Sequence, residues 1–236
     1  MSVPLVISCE HASNRVPAGV DLGVTAAVLD SHVAWDHGAK EIAGALASRF
    51  GAPLFLGEWT RLFVDLNRFP ASATVIPAVA FGTPVPGNVG LSAAERACRL
   101  EGHAAWRASV ASAVSAAIAR CGSCVHLSIH SFTPELGGEV RDYDMGILFD
   151  PERTLDRRVA DSLLVGLRSA GLSSRANEPY AGVGDGMTSA LRLLHGEHLY
   201  AGIEVETSHR VTMRFGGIEA VSSAVGAAVT RWTSLA

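Results

Sequence analysis

Three apolar segments in this sequence end abruptly in polar or charged residues. The first, 5–8, is followed by 10–15, which contains an acid, an imidazole, an amide and a guanidinium group. The second, 125–129, is followed directly by His130, and the third, 200–205, carries a glutamate near its end and is followed by another. In α/β sheets, sites form at the carboxyl ends of the strands. The sequence therefore predicts three strands whose ends converge on one site.

Helical patterns alternate with these strand patterns along the chain. In 39–50, apolar residues recur every four positions, and Gly51 and Pro53 end the stripe. Such alternation is typical of an α/β fold, and we expect a three-layer sandwich with a mainly parallel mixed sheet, forming a single domain over 1–236. Further helices are predicted at 91–120, 155–170, 188–194 and 217–235, and further strands at 54–56, 62–64 and 145–149. The stretch 70–90 is predicted to be a loop.

Composition and charge narrow the class of protein. The chain has 236 residues, of which 48% are hydrophobic, so it can bury a large core. A net charge of -4 argues against nucleic acid or an anionic membrane as a partner. The N-terminus lacks the pattern of a signal peptide, and no apolar run approaches the roughly 20 residues of a membrane span. We expect a cytoplasmic protein with reduced cysteines.

His11 and His130 are the first candidates for chemistry, as distant ligands of one zinc ion. Catalytic zinc has three protein ligands and an open position; the alternative is two unrelated surface histidines. Asp36, Glu10 and Asn14 are the candidates for the third ligand. Adjacent side chains on a strand diverge, which counts against Glu10, and a neutral amide is a poor zinc ligand. We favour Asp36, although a carboxylate near a helix start is commonly a cap.

A carboxylate within an apolar strand is the candidate base. Glu204 lies in Ala201–Val205, where an unpaired charge would be costly. Beside an activated water it can serve as general base and then as general acid. Glu206 would share its face of the strand, so the choice between the two stays open. The alternative is a structural ion pair with an arginine.

Arg61, Asn67 and Arg68 form a cluster suited to recognising a carboxylate. A guanidinium binds a carboxylate with two parallel hydrogen bonds, and an amide adds a donor. The alternative for Arg68 is a salt bridge with Asp65.

Several motifs, in order along nearly the whole chain, together resemble the N-formylglutamate amidohydrolase family. This family is similar in fold to zinc carboxypeptidases, of the phosphorylase/hydrolase-like fold, and to aspartoacylase-type deacylases. The motifs are CEHASNRVP (9–17), HVAWDHGA (32–39), RLFVDLNR (61–68), SIHSFTP (128–134) and NEPY (177–180).

The resemblance implies a zinc hydrolase that cleaves an amide on an acidic amino acid. His11 and His130 match metal-ligating histidines, and the DLNR stretch matches one whose Asn67 and Arg68 hold the substrate carboxylate. Arg61 resembles an arginine that polarises the scissile carbonyl, and Glu204 lies on a strand like the one that bears the catalytic glutamate. The chain departs from the carboxypeptidase pattern His-x-x-Glu, because Asn14 stands at the last position.

The function expected from these residues is hydrolysis of N-formyl-L-glutamate to formate and L-glutamate, with one zinc ion per chain. The partner is then a small molecule, and the oligomeric state is left open. Two alternatives remain. One is a zinc hydrolase of another N-acyl amino acid or small peptide, and the other is a non-catalytic carboxylate-binding protein on the same scaffold.

Overall fold

A six-stranded sheet lies at the centre of the computed structural model, which describes residues 4–214 and 217–235. The strands are β1 (Leu5–Cys9), β2 (Leu54–Leu56), β3 (Val79–Ala80), β4 (Thr83–Pro84), β5 (Cys124–Phe132), β6 (Glu135–Leu136), β7 (Glu139–Val140), β8 (Met145–Leu148), β9 (Ser174–Ala176) and β10 (Tyr200–Ser208). The helices are α1 (Ala26–Leu29), α2 (Ala39–Phe50), α3 (Ala93–Cys121), α4 (Thr154–Ser169), α5 (Met187–Leu194), α6 (His209–Arg214) and α7 (Ile218–Leu235), with a 3₁₀ turn at Pro86–Asn88.

The strand order of the main sheet is β2-β1-β5-β10-β8-β9. The neighbours from β2 to β10 are parallel, β8 runs antiparallel to β10, and β9 is parallel to β8. The prediction of a mainly parallel mixed sheet is therefore confirmed. The short pairs β3–β4 and β6–β7 are separate hairpins.

Alternation of side chains along the strands divides the sheet into two different faces. Leu5, Ile7 and Cys9 of β1 contribute to an apolar core with α2, α4 and α7. Val6 points to the opposite face and packs in a smaller cluster with residues of α3 and α5. Helices therefore cover both faces, as the predicted three-layer α/β sandwich requires.

On this second face, polar side chains replace apolar ones toward the carboxyl ends of the strands. Ser8 follows Val6 on β1, and Ser128 and His130 follow His126 on β5. The register places Ser8 beside Ser128, and it places Glu206 of β10 beside His130. Polar groups of three neighbouring strands are thus adjacent.

The structure corrects the sequence-based expectations at three places. Residues 62–64 lie in a turn and the irregular segment that follows it rather than in a strand, and Leu62 is buried in a separate apolar cluster with Leu22 and Val85. The predicted loop 70–90 contains the hairpin β3–β4. His130 and Glu206 lie inside β5 and β10, because both strands continue further than their apolar runs.

Two further features concern the character of the helices and the state of the cysteines. Among the described residues, no helix combines the length and apolar character needed to cross a membrane. The four cysteines, Cys9, Cys98, Cys121 and Cys124, are all unpaired.

Candidate metal centre and active site

Two histidines meet at the carboxyl ends of β1 and β5. His11 lies in the turn that follows β1, and His130 lies within β5. Their ring centroids are 5.1 Å apart, and only 4% and 2% of the two residues is exposed. Asp36 reaches them from the segment before α2, where its backbone N–H donates to the carbonyl of His11 at 3.0 Å.

His11, Asp36 and His130 form a buried group that can hold a metal ion, since one ligand atom from each lies within 4.8 Å of the others. Oδ2 of Asp36 is 2.8 Å from Nδ1 of His130 and 3.5 Å from Nδ1 of His11. Two imidazoles and one carboxylate are also a donor set of hydrolytic zinc enzymes.

The outer nitrogen of each histidine ring faces a second carboxylate. Nε2 of His11 is 2.7 Å from Oδ1 of Asp65, and Nε2 of His130 is 3.3 Å from Oε2 of Glu10. Metal-binding histidines in proteins commonly have such a carboxylate behind them. Both rings therefore present Nδ1 to the centre.

Several buried side-chain atoms in the described part of the chain have no hydrogen-bond partner, and Nδ1 of His11 is the one that faces this centre. A buried polar nitrogen without a partner is costly. A cation bound between the two rings and Asp36 would provide that partner. The residues present therefore fit the zinc that the sequence resemblance implies.

The three candidates for the third ligand have different surroundings. Asp36 joins the two histidines and does not cap α2, whose N-cap is Gly38. Glu10 contacts His130 from the outer side of its ring. Asn14 is more exposed, and its side chain donates to Asp30 at 2.9 Å. Among the three, only Asp36 shares the buried group with the histidines.

Charge pairing keeps the carboxylates of this centre ionised. Burial opposes ionisation of Asp36, but the Arg61 guanidinium and His11 hold its pKa well below the usual range. Burial likewise opposes ionisation of Glu10, but bonding to His130 and Ser128 lowers its pKa to about 2. Against the effect of burial, Asp36 and Glu10 raise the pKa of His130 well above its ordinary value. The site is thus strongly polarised before any ion binds.

Arg61 is bound to the metal-binding group itself. Its guanidinium donates to Oδ1 of Asp36, which leaves Oδ2 of that carboxylate to the histidines. It also lies over the ring of Phe81, with 5.9 Å from its central carbon to the ring centroid. The arginine predicted to polarise a carbonyl therefore also orients Asp36.

Asn67 and Arg68 lie in the irregular segment that replaces the predicted strand. Oδ1 of Asn67 accepts from the backbone N–H of Met187 at 2.7 Å, so its amide nitrogen is the group left for a ligand. Arg68 donates to the carbonyl oxygens of Asn67 and Asp185. Asp65, the alternative partner of Arg68, instead pairs with His11 at 2.7 Å.

The two glutamates of β10 differ in their contacts. Glu204 is half-buried, and its Oε1 accepts from the hydroxyl of Thr188 at 2.8 Å. Glu206 is buried, and its Oε2 has no hydrogen-bond partner among the described residues. Burial, with the nearby carboxylates of Asp36 and Glu204, raises the pKa of Glu206 to about 8 against the effect of His130.

A single cavity of about 400 Å³ is lined by all the residues predicted for metal, substrate and catalysis. His32, Phe81 and Tyr180 also line it, and sequence reasoning gave them no role. Tyr180 belongs to the NEPY motif, and His32 opens the HVAWDHGA motif, so both motifs contained a signal. Nothing in the sequence marked Phe81, which lies in the turn of the β3–β4 hairpin.

Comparisons with known proteins identify similar chains. Residues 3–213 match the model of a family described as N-formylglutamate amidohydrolase. The gene product Atu2144 from Agrobacterium tumefaciens is similar in structure, with a TM-score of 0.84, 32% sequence identity, and coverage of 99% of this chain and 91% of that one. No curated protein sequence matches the chain significantly.

A second solved structure shares the fold at lower identity. It is the N-formylglutamate amidohydrolase from Ralstonia eutropha JMP134, with a TM-score of 0.72, 19% identity, and coverage of 99% of this chain and 94% of that one.

Proposed function

Because this chain belongs to the N-formylglutamate amidohydrolase family, we propose that it is a zinc-dependent enzyme that hydrolyses the amide of an N-formyl or N-acyl acidic amino acid. The first substrate to test is N-formyl-L-glutamate, which would give formate and L-glutamate. The observation that carries the proposal is the buried His11–Asp36–His130 group, which opens on the same cavity as the side chains of Asn67, Arg68 and Glu204. A small-molecule substrate and a cytoplasmic location are part of the same proposal.

The metal would be held by His11, Asp36 and His130. Zinc in such a site supplies Lewis acidity, which polarises a carbonyl oxygen and favours deprotonation of water. Asp65 and Glu10 orient the two imidazoles, and Arg61 holds the carboxylate of Asp36.

Asn67 and Arg68 position the substrate. The guanidinium of Arg68 and the amide N–H groups of Asn67 together suit one carboxylate of an acidic amino acid. Both residues line the cavity beside the metal-binding group. Binding there would hold the amide carbonyl near Arg61, whose positive charge stabilises the oxyanion that develops when water attacks.

Glu204 moves the proton in this mechanism. Its carboxylate accepts a proton from the attacking water, the water oxygen bonds to the acyl carbon, and the C–N bond then breaks. The same carboxyl returns the proton to the leaving nitrogen, which gives a carboxylic acid and an amine, and the remaining acid proton then passes to the amine, so that the products are a carboxylate and an ammonium group. Thr188 binds Oε1 of Glu204 and leaves Oε2 to exchange the proton.

The test combines metal content with formate release. Purified protein is expected to contain about one zinc per chain, and it should release formate from N-formyl-L-glutamate. Chelation should abolish activity and added zinc should restore it. Zinc without formate release would redirect the question to a panel of N-acyl amino acids and small peptides. Neither zinc nor turnover, even after zinc is added back, would contradict the hydrolase proposal and favour a carboxylate-binding protein.

A further inference from the structure

A polar chain of buried, hydrogen-bonded side chains extends from His130 away from the metal-binding group. The mechanism above uses only the contact between Glu10 and His130. Glu10 is at its centre, with 1% of the residue exposed. Its Oε1 accepts from the hydroxyl of Ser8 at 2.7 Å, and its Oε2 accepts from the hydroxyl of Ser128 at 2.7 Å. A buried carboxylate is tolerated only when its oxygens have such partners.

The chain continues away from the metal-binding group toward β10. Oγ of Ser8 is 2.7 Å from Nε2 of His126. Nδ1 of His126 is 2.9 Å from the hydroxyl of Tyr200. Ser8, His126 and Tyr200 belong to β1, β5 and β10 and share the face of the sheet that α3 and α5 cover. These three residues, Glu10 and Ser128 are all buried, so water does not compete for these bonds.

The number of available protons gives every bond in this chain a direction. A serine hydroxyl has one proton, and an ionised carboxylate can only accept. Ser128 donates its proton to Glu10, so its oxygen must accept from Nε2–H of His130, which lies 2.9 Å away. Ser8 likewise donates to Glu10 and accepts from Nε2–H of His126.

The same reasoning determines which nitrogen of His130 holds the lone pair when the ring is neutral, as it must be to bind a metal. When Nε2 carries a proton that is bound by Ser128 and Glu10, the lone pair of the neutral ring is on Nδ1. Nδ1 is the atom that faces Asp36 at 2.8 Å and belongs to the metal-binding group. In a neutral imidazole, the hydrogen bond at one nitrogen sets the tautomer.

We propose that Glu10 is a positioning residue that fixes His130 in the Nε2–H tautomer and so keeps Nδ1 available to the metal. This inference rests on the proposed metal-dependent function. Asp65 contacts His11 directly at 2.7 Å, whereas Glu10 acts mainly through the hydroxyl of Ser128. The effect of Glu10 thus depends on its being an anion with no proton to donate.

Replacing Glu10 by glutamine tests this, because an amide has nearly the same shape but donates on one side. If the amide nitrogen faces Ser128, that hydroxyl is free to donate to Nε2 of His130. The ring proton then moves to Nδ1, where it opposes metal binding. In the other amide orientation, the hydrogen bonds of Ser8 would reverse in the same way. In both orientations, the side chain at position 10 that contacts His130 no longer carries a negative charge.

The experiment measures zinc affinity and the protonation of His130. Competition with a chelator should show zinc bound about 10- to 100-fold more weakly by Glu10→Gln than by the wild-type protein. Glu58→Gln makes the same chemical change at an exposed glutamate and should leave affinity unchanged. Nitrogen-15 NMR of histidine side chains in the zinc-loaded wild type should show a proton on Nε2 of His130.

The outcomes separate this inference from the proposed function. Equal zinc affinity in Glu10→Gln and the wild type, or a proton on Nδ1 of His130 in the zinc-loaded wild type, would overturn it. The NMR result decides the matter if Glu10→Gln does not fold. Zinc binding weakened by Glu10→Gln in a protein that hydrolyses no amide would support this inference and contradict the proposed function. A wild-type protein that binds no zinc would overturn both.

Discussion

Glu204 and Glu206 are separated by a single residue on one face of β10 and both line the cavity, but only Glu204 is partly exposed. The Thr188 hydroxyl holds one oxygen of Glu204, whereas one oxygen of Glu206 is buried without a hydrogen bond. The surroundings of Glu204 suit a group that exchanges a proton with substrate, since such a group must be held and accessible at once.

We expect Glu204→Gln to lower kcat by roughly 10²- to 10⁴-fold, because the amide cannot take a proton from water. Zinc content should stay at the wild-type level, since Glu204 does not belong to the metal-binding group. Steady-state formate release and metal analysis check both statements. Glu206→Gln is the comparison variant, and normal turnover by Glu204→Gln would remove Glu204 from the mechanism.

Arg68 gives a second prediction, which concerns binding. We expect Arg68→Ala to raise KM by roughly 10- to 100-fold with a smaller effect on kcat, because a charged hydrogen-bonding pair with the substrate carboxylate is lost. Arg68→Lys retains the positive charge but lacks the planar guanidinium group, so its KM should lie between those of the wild type and Arg68→Ala. Because Arg68 also donates to the carbonyl of Asp185, urea unfolding of both variants serves as the folding control. An unchanged KM in a folded Arg68→Ala protein would contradict the role.

The residue types in the sequence predicted the kind of chemistry, but they did not predict how the candidate metal ligands are arranged in space. His11 and His130 were recognisable because each follows or ends an apolar run. Residue type alone favoured Asp36 over Glu10 and Asn14, whereas its distance from the histidines depends on the start of α2 and the path of the turn after β1. Asp65 illustrates the limit, since sequence adjacency suggested Arg68 as its partner and the fold provides His11.

At the level of elements, apolar periodicity predicted the layers but not the strand order. The bounds predicted for α2, 39–50, agree with the structure, because the stripe and its terminating Gly51 are both local signals. Residues 62–64 were misassigned because Leu62 and Val64 are buried in small clusters outside the sheet. Whether a segment pairs with β1 in the sheet depends on contacts between residues far apart in the sequence, and no local pattern of apolar residues encodes these contacts.

Gly57 shows how closely one element is fitted to another. It follows β2, and its N–H donates to the carbonyl of Cys9 at 2.9 Å. A Cβ at this position would overlap the carbonyl oxygen of Glu10. We expect Gly57→Ala to lower the free energy of unfolding by roughly 2 kcal/mol or more, because the end of β1 must shift.

The control for this prediction is a glycine with free space around it. Gly44 lies within α2, and a Cβ there would have no atom within 4 Å outside its neighbours and the backbone of its own helix. Gly44→Ala should be neutral or stabilise the protein by up to about 1 kcal/mol, as expected for alanine in a helix. Urea denaturation of the two variants makes the comparison. Equal stabilities would show that β1 and the segment after β2 are less tightly packed than the structure indicates.

For the molecule as a whole, histidines that are buried or partly buried make stability sensitive to mild acid. Burial lowers the pKa of five histidines: His32, His103, His126, His195 and His209. In each case the unfolded chain takes up a proton near the ordinary pKa of 6.5, before the folded protein does. At these five positions the unfolded state therefore binds more protons as the pH falls below this value, which decreases the free energy of unfolding, whereas Glu206, whose pKa is raised to about 8, contributes in the opposite sense.

His126 allows a quantitative test of this behaviour, because it is buried in the polar chain and its pKa falls to about 4. Its stabilising contribution is complete above pH 6.5 and is lost as the pH falls toward 4. His130 offsets little of this loss, because its pKa is raised and its stabilising contribution is already complete below pH 6.5. At pH 5, His126 should account for a loss of roughly 1 to 2 kcal/mol relative to pH 7.

His126→Gln keeps a donor and an acceptor between Ser8 and Tyr200 but cannot titrate, so this part of the pH dependence should disappear. Urea unfolding at pH 7 and pH 5, with a chelator present so that metal binding adds no pH dependence, measures the difference. The exposed His198→Gln variant should behave as the wild type does. If His126→Gln lost as much stability between the two pH values as the wild type, the acid sensitivity would have to come from the other buried histidines.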